Sequence, residues 1–294
     1  MSPPRTLRLP ATGGVELAVD LWDGEGPGML LVHGLASNAG LWRGAAEELA
    51  RLGVAAACVD QRGHGRSDKP DGGYDFATVC ADLLEVLDGL RETQGVRDPG
   101  PWDRPVVAGQ SWGGNVVLEL AWRAPDRLAG VACVDGGTIE LSARFPTWEA
   151  CAEALAPPSL VGLPAERFEA RVRGAHPDWP ESGIEGVMAN VEVLPDGTIR
   201  PWLTRERHML ILRSLWEHRP SLRYPEVTVP VLLIHAEGDD LSWTEAKRAG
   251  VASAVSSLAR SESHWLRGDH DLHAQLPAEV ARLLQEAVVG GFWS

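Results

Sequence analysis

Thiol chemistry and membrane insertion are the first things this chain of 294 residues lacks. Its four cysteines, Cys58, Cys80, Cys133 and Cys151, include no C-x-x-C pair, which argues against a disulfide framework or a thiolate metal centre. Cys58 and Cys133 fall inside apolar, strand-like runs, where cysteine behaves as a small buried hydrophobe. Met1 to Leu9 contains no apolar core of the kind a signal peptide needs. No run approaches the roughly 18 apolar residues of a membrane span. A reducing cytoplasm is therefore the expected compartment. A basic patch is also missing. The formal net charge is −14, a poor match for a nucleic-acid backbone or an anionic membrane. The bulk composition, 44% apolar, is enough for a sizeable core, in one large domain or in a domain with an insertion. Internal repeats and low-complexity segments are absent, and oligomeric state is not legible.

What is present is an alternation of short apolar runs with helical patterns. Leu7-Arg8-Leu9 and Val15 to Trp22 read as an opening hairpin around Thr12-Gly13-Gly14. Met29 to Val32 and Val54 to Val59 read as buried strands, with helical spacing at Leu41, Ala45, Ala46, Leu49 and Leu52 between them. Phe76, Val79, Cys80, Leu83, Leu87 and Leu90 mark one face of an amphipathic helix that Asp75 is placed to cap. A strand at Pro105–Ala108, a helix from Gly114 to Ala124 stopped by Pro125, and a strand at Leu128–Val134 follow. From about Gly137 to Tyr224 the rhythm breaks. That stretch carries Trp148, Trp179, Trp202 and Trp216, several prolines, and helical segments at Pro164–Arg173 and Thr204–Trp216. Alternation resumes with Val229 to Ile234, a weak strand near Ala252–Ala259, and a last helix begun by Pro277. Strands alternating with helices predict an α/β fold with a mostly parallel, doubly wound sheet. The interruption predicts a lid over the carboxyl ends of the strands, where such sheets bind ligands.

Gly109-Gln110-Ser111-Trp112-Gly113 lies between the Pro105–Ala108 strand and the helix after it. This is the strand, sharp turn and helix that a nucleophile elbow requires. A serine nucleophile needs a base, and the base needs an orienting carboxylate. Three late histidines compete for the base, and His270 is favoured. It follows the flexible Gly268 and precedes the final helix, so it can reach over the sheet from a loop. His264 comes second, and His273 is expected to start the helix or pack near it. For the acid, the turn His235-Ala236-Glu237-Gly238-Asp239-Asp240 after the Val231–Ile234 strand favours Asp239. Asp240 is second and Asp135, after the preceding strand, is third. Two backbone donors are needed for a tetrahedral oxyanion. The N–H of Trp112, next after the nucleophile, is one. The N–H of Leu35, in the turn His33-Gly34-Leu35-Ala36, is the other. His33 is then a structural histidine. Asp269, His270 and His273 have no accompanying ligand motif, so no metal is expected. The tryptophan-rich lid points to an apolar or aromatic substrate, with Trp148, Trp202, His208 and Met209 as candidate pocket-lining residues.

Taken together, His33-Gly34-Leu35, the Asp60-Gln61-Arg62-Gly63-His64-Gly65-Arg66-Ser67 turn, the elbow at Ser111, Asp239 and His270 resemble the α/β-hydrolase superfamily, in that family's order. The resemblance implies an eight-stranded, mostly parallel sheet with a helical lid inserted after strand 6. It divides the chain into a hydrolase core, 1–136 and 226–294, and a lid, 137–225. It implies that the Asp60–Ser67 turn is mainly structural. It also implies a serine hydrolase that needs no cofactor and cleaves a small-molecule carboxylic ester or lactone through an acyl-enzyme on Ser111. Haloalkane dehalogenases and epoxide hydrolases of this fold use an aspartate at the elbow, so Ser111 points to acyl chemistry. Relatives with the same triad cleave thioesters, amides or C–C bonds, or carry out perhydrolysis. The Ser111-Trp112-Gly113 elbow also resembles proline iminopeptidases, which read a substrate amine with lid carboxylates. Glu149, Glu153, Glu181 and Glu185 are the candidates here. A ligand-binding receptor on this fold is the reading from a different class.

Overall fold

The computed structural model describes residues 3–95, 99–238 and 241–293. Ten strands run in chain order as β1 (Arg5–Pro10), β2 (Glu16–Trp22), β3 (Glu25–Val32), β4 (Val54–Val59), β5 (Val106–Gln110), β6 (Gly130–Val134), β7 (Val191–Val193), β8 (Ile199–Pro201), β9 (Val231–Glu237) and β10 (Ser261–Arg267). The helices are α1 (Arg43–Arg51), α2 (Phe76–Thr93), α3 (Trp112–Arg123), α4 (Leu141–Arg144), α5 (Trp148–Leu155), α6 (Ala165–Ala175), α7 (Glu181–Met188), α8 (Arg205–Glu217), α9 (Leu241–Ser257), α10 (Leu272–Gln275) and α11 (Pro277–Val289).

Eight strands form one sheet in the order β1-β2-β4-β3-β5-β6-β9-β10. β1 pairs antiparallel with β2, and β2 antiparallel with β4. Every later neighbour is parallel. The central strands read as continuous apolar runs because helices cover both faces. Every residue of β4, β5 and β6 is buried. One face packs on α2 and α3 through residues such as Leu83, Leu87, Val116 and Leu120. The other packs on α1 and α11 through Ala46, Leu49, Val280 and Leu284. Burying a Val or Leu side chain contributes about 1.5–3 kcal/mol, so these two layers hold the sheet between them. Local signals agree with this packing. The Asp75 side chain accepts from Thr78 N–H and caps α2, and Pro277 opens α11.

The segment between β6 and β9 is the lid-like insertion. It holds α4 to α8 and, within an otherwise helical unit, the small antiparallel pair β7–β8. The turn in that pair, Pro195-Asp196-Gly197, has the residues such turns favour, and Asp196 Oδ1 accepts from Thr198 N–H at 2.9 Å. The insertion is tied down over the carboxyl ends of the strands. Asn38 Nδ2 donates to Gly186 O at 2.8 Å and to Asn190 Oδ1 at 2.6 Å. Arg207 donates to Pro70 O and to Asp71. Leu41, Val172, Trp179, Ile184 and Ala274 form a small apolar cluster across the seam.

One expectation is corrected. The segment Ala252–Ala259 is not a strand; it falls largely in α9. Its buried residues Val251, Ala254 and Leu258 recur at a spacing of three to four, the period of a helix face. The strand lies further on, in β10. Its sequence Ser-Glu-Ser-His-Trp-Leu-Arg carries little apolar signal because it is a half-exposed edge strand paired on one side to β9.

Candidate active site

The parallel register aligns the ends of the central strands. Val32 pairs with Gly109, Gln110 with Val134, and Val134 with Ile234. The residues that follow, His33, Ser111, Asp135 and His235, therefore stand in a row at the carboxyl edge of the sheet. Ser111 sits between β5 and α3 with φ 53° and ψ −122°, a backbone conformation that costs an L-residue of order 1–3 kcal/mol and recurs at active sites. The surrounding backbone leaves no room for side chains. A Cβ on Gly109 would lie 2.1 Å from Gly113 O, and one on Gly136 would lie 2.3 Å from Ser111 O. Asp135 is also held at positive φ, 43°.

His270 comes from the loop after β10 and bridges the row. Its Nε2 lies 2.8 Å from Ser111 Oγ. Its Nδ1 lies 2.6 Å from Asp135 Oδ2. With Nδ1–H donating to the carboxylate, Nε2 is left as the acceptor facing the serine hydroxyl. The Asp135 side chain is buried, whereas that of His270 is 53% exposed. Burial would push the Asp135 carboxyl up. The neighbouring His235, the hydrogen bond and charge of His270 and the charge of Lys247 outweigh it and hold the group well below the usual carboxylate range. Desolvation likewise opposes charge on His270, but the Asp135 hydrogen bond and charge, with Asp271 adding to them, raise its pKa above the ordinary 6.5. Such an imidazole is a good proton acceptor and, once charged, is stabilised by its partner.

Of the three candidate carboxylates, one lies within the described residues. Asp239 and Asp240 lie outside the described residues. The carboxylate that meets His270 is Asp135, which follows β6 rather than β9. The physical reason is the sheet order: β6 is the immediate neighbour of β5, and Ser111 N–H donates to Val134 O at 3.0 Å. Asp135 is therefore next to the elbow without any long reach.

The other histidines have different surroundings. His264 is within β10, opposite Ile234. His273 is fully buried in α10 with its ring 4.4 Å from that of Trp42, and burial lowers its pKa to about 3. His33 is buried, with Nδ1–H donating to Gly34 O at 2.7 Å and Nε2 accepting from Gln61 N–H at 3.0 Å. Burial takes it to about 4, so it is neutral and structural. The Asp60–Ser67 turn is a bonding scaffold. Asp60 accepts from Ala39 N–H and from Arg66, and Arg62 forms a buried ion pair with Asp82.

Of the two expected oxyanion donors, Trp112 follows Ser111 directly and Leu35 follows Gly34. Trp112 N–H lies in the first turn of α3, where a helix supplies no acceptor of its own. The Leu35 turn abuts the elbow: a Cβ on Gly34 would lie 3.0 Å from Ser111 Cβ. The Trp112 indole is buried and stacks on His64 at 5.8 Å. Among the four lid residues, Trp148 pairs with Trp216 and lies under Arg213. Trp202 lies under Lys69. His208 is buried on α8 and lowered to about 4 by desolvation. Met209 packs against the larger core cluster.

Three supports were not anticipated. Gln110 Nε2 donates to His270 O at 3.1 Å, so the elbow holds the histidine loop as well as the serine. Trp179 of the insertion donates its indole N–H to Asp269 Oδ2 at 2.9 Å, and Asp269 N–H donates to Gln275 Oε1 at 2.8 Å. Lys247 of α9 reaches both oxygens of Asp135. Gln110 occupies the variable position of the elbow pattern, and the other two contacts join residues far apart in sequence, so spacing alone carries no signal for them. Among the described residues no group of three or more His, Cys, Asp or Glu could hold a metal ion. None of their helices is long and apolar enough to cross a membrane.

Known proteins with related sequences and structures agree with this architecture. The family described as serine aminopeptidase, S33, matches residues 28–274. Epoxide hydrolase A of Mycobacterium tuberculosis is 27% identical, with 97% of this chain and 98% of that protein covered. The 2-(acetamidomethylene)succinate hydrolase of Mesorhizobium japonicum is 28% identical over 84% of this chain and 78% of its own. A crystal structure of E-2-(acetamidomethylene)succinate hydrolase superimposes with a TM-score of 0.76 at 23% identity, covering 98% of this chain and 99% of that one. With the sheet order, the insertion after β6 and the family match in hand, the chain belongs to the serine aminopeptidase S33 family of the α/β-hydrolase superfamily and is a serine-hydrolase-type enzyme.

Proposed function

We propose that this enzyme cleaves a carboxylic ester or lactone of a small, apolar or aromatic substrate through an acyl-enzyme on Ser111. The observation that carries the reading is the continuous hydrogen-bonded line from Ser111 Oγ through His270 to Asp135. In the proposed cycle Ser111 Oγ attacks the ester carbonyl while His270 Nε2 takes its proton. Asp135 stabilises the imidazolium. The N–H groups of Leu35 and Trp112 receive the oxyanion. The tetrahedral intermediate collapses, His270 protonates the leaving alcohol, and the acyl group remains on Ser111. Water then attacks the acyl carbon with His270 as base, releasing the acid and restoring Ser111. In this reading Asp135 takes the role for which Asp239 was favoured. His208 and Met209 are proposed to line the acyl pocket, with Trp148 and Trp202 nearer its rim. The core comprises 1–136 and 226–294 and the lid 137–225. A reducing, cytoplasmic compartment suits four buried cysteines that are all free thiols.

A second reading, cleavage of an N-terminal residue from a peptide, is favoured by the family description. It needs a carboxylate aimed at the substrate amine. Glu149, Glu153, Glu181 and Glu185 are exposed, and Glu181 is already paired with Arg173, which makes them poor amine readers and leaves the ester reading ahead. The deciding experiment sets a panel of p-nitrophenyl and aryl esters and lactones beside prolyl and alanyl amides. The ester reading expects kcat/KM on the best ester to exceed that on every amide by at least about 100-fold, with turnover down by about 10³-fold or more in Ser111→Ala. Faster turnover of the aminoacyl amides, or ester turnover within tenfold of wild type in Ser111→Ala, would overturn it.

A further inference from the structure

Lys247 is the group around the site whose arrangement the proposed cycle leaves unused. It lies in the middle of α9, outside the row of strand ends that supplies Ser111 and Asp135. Its Nζ is 2.8 Å from Asp135 Oδ1, 2.9 Å from Asp135 Oδ2 and 2.9 Å from Ala236 O. An ammonium has three donors, and all three have an acceptor here. The carboxylate is equally committed. Oδ1 accepts from Ala236 N–H at 3.0 Å and from Lys247, with His235 Nδ1 at 3.7 Å beside it. Oδ2 accepts from Lys247 and from His270. Surface lysines trade partners freely. This one is 24% exposed and grips a carboxylate that is 1% exposed.

We propose that Lys247 is a positioning residue for hydrolysis: by clamping both oxygens of Asp135 it fixes the carboxylate that orients His270 and offsets the negative charge that His270 feels. The inference rests on the reading of Asp135, His270 and Ser111 as the catalytic line. Its physical basis is a conflict within that line. A buried aspartate left with an imidazole as its sole cationic partner favours the charged imidazolium strongly, and a charged His270 cannot accept the Ser111 proton. A permanent positive charge on the far side of the carboxylate weakens that preference while keeping Asp135 ionised in both states of His270. Among the described residues, the other charged and titratable groups around the site are Asp269 and Asp271 on the same loop, His176 of the insertion, His33 after β3, His235 of β9 and His273 of α10. Asp271 favours a charged His270, and among the described residues Lys247 is a cation that opposes it. The carbonyl of Ala236 fixes where that cation stands, which is why its effect is directed at Asp135 and not spread over solvent.

The test is the pH dependence of Ser111 labelling by a fluorophosphonate, which reads His270 basicity without any choice of substrate. Labelling rates are followed by intact mass between pH 5 and 9, roughly spanning the titration of a shifted histidine, in wild type, Lys247→Met, Lys247→Gln and Lys247→Arg. Each profile is normalised to its own alkaline plateau, so a partly folded variant still reports its midpoint. The expected result is a midpoint raised by about 0.5–1 pH unit in Lys247→Met and Lys247→Gln, and held within about 0.3 unit of wild type in Lys247→Arg, which keeps the charge. Met and Gln profiles that superimpose on wild type or move to lower pH would overturn the role of Lys247 while leaving the catalytic line intact. Wild-type protein that is never labelled at Ser111, at any pH, would instead overturn the catalytic line and this inference with it.

Discussion

Asp135 and His270, 135 residues apart in the chain, meet at 2.6 Å between Oδ2 and Nδ1. Their meeting requires the loop after β10 to reach across the end of β9, the one strand that separates β10 from β6 in the sheet. The insertion, β9 and β10 all lie between them in sequence. A buried carboxylate and a half-exposed imidazole joined in this way form a charge-assisted hydrogen bond, and its direction leaves Nε2 facing Ser111.

Removal of the nucleophile is the simplest consequence. Ser111→Ala keeps a small side chain in the same strained turn, so circular dichroism and melting temperature should stay close to wild type. Turnover of the best aryl ester should fall by about 10³-fold or more. Residual activity within tenfold of wild type would contradict the role given to Ser111.

The pH dependence has a definite sign. His270 must be neutral to accept a proton, and its pKa is raised above the ordinary 6.5. The kcat/KM profile should therefore rise with pH through a midpoint above that value. Asp135→Asn removes the main cause of the rise, so its residual activity should show a lower midpoint. The pair also links stability to pH. The raised His270 contributes fully below its unfolded pKa, and that contribution is lost as pH rises through the folded pKa. The depressed Asp135 contributes above its unfolded pKa, and that contribution is lost as pH falls through its depressed folded value. The gap in urea midpoint between wild type and Asp135→Asn should thus be widest between about pH 4 and 6.5. A gap that grows steadily toward alkaline pH would contradict this pairing.

Backbone crowding at the elbow gives a third test. A methyl on Gly136 would meet Ser111 O at 2.3 Å and Ser111 N at 2.9 Å. Gly136→Ala must displace the nucleophile or the Asp135 turn, costing about 1–3 kcal/mol of stability. Ester turnover should drop by at least about 100-fold, because misplacing reacting groups by an ångström has that effect. Differential scanning calorimetry and initial rates on the same sample read both.

The seam between insertion and histidine loop is open to a gentler change. Trp179→Phe keeps the ring but loses the N–H that Asp269 accepts at 2.9 Å. One such hydrogen bond contributes about 0.5–1.5 kcal/mol, so kcat/KM should fall by about 2–10-fold. The loss should appear mainly in kcat, since Asp269 is next to His270 and does not contact Ser111. A change confined to KM would assign Trp179 to substrate binding instead.

Much of the core was legible because its signals are local. The β5–α3 junction around Ser111 can be read from five residues, and the faces of α2 and α11 from apolar spacing. That the turn after β3 lies against the elbow follows from Gly34 and its place in chain order. The acid was harder. Ordering in the chain favours a carboxylate between insertion and histidine, whereas Asp135, the carboxylate that meets His270 among the described residues, precedes the insertion and is brought there by strand adjacency, a property of the folded sheet. For the same reason Lys247, Gln110 and Trp179 carry no sequence signature: their roles come from atoms meeting across elements. β10 was misplaced because an edge strand covered on one side has no need of an apolar run.

The central claim, that Asp135 orients His270, is tested most directly by comparing two isosteric substitutions. Asp135→Asn and Asp239→Asn are assayed for kcat/KM on one aryl ester at the wild-type optimum. The account expects a loss on the order of 10⁴-fold for Asp135→Asn and activity within about threefold of wild type for Asp239→Asn. A large loss in Asp239→Asn together with near-wild-type activity in Asp135→Asn would contradict it.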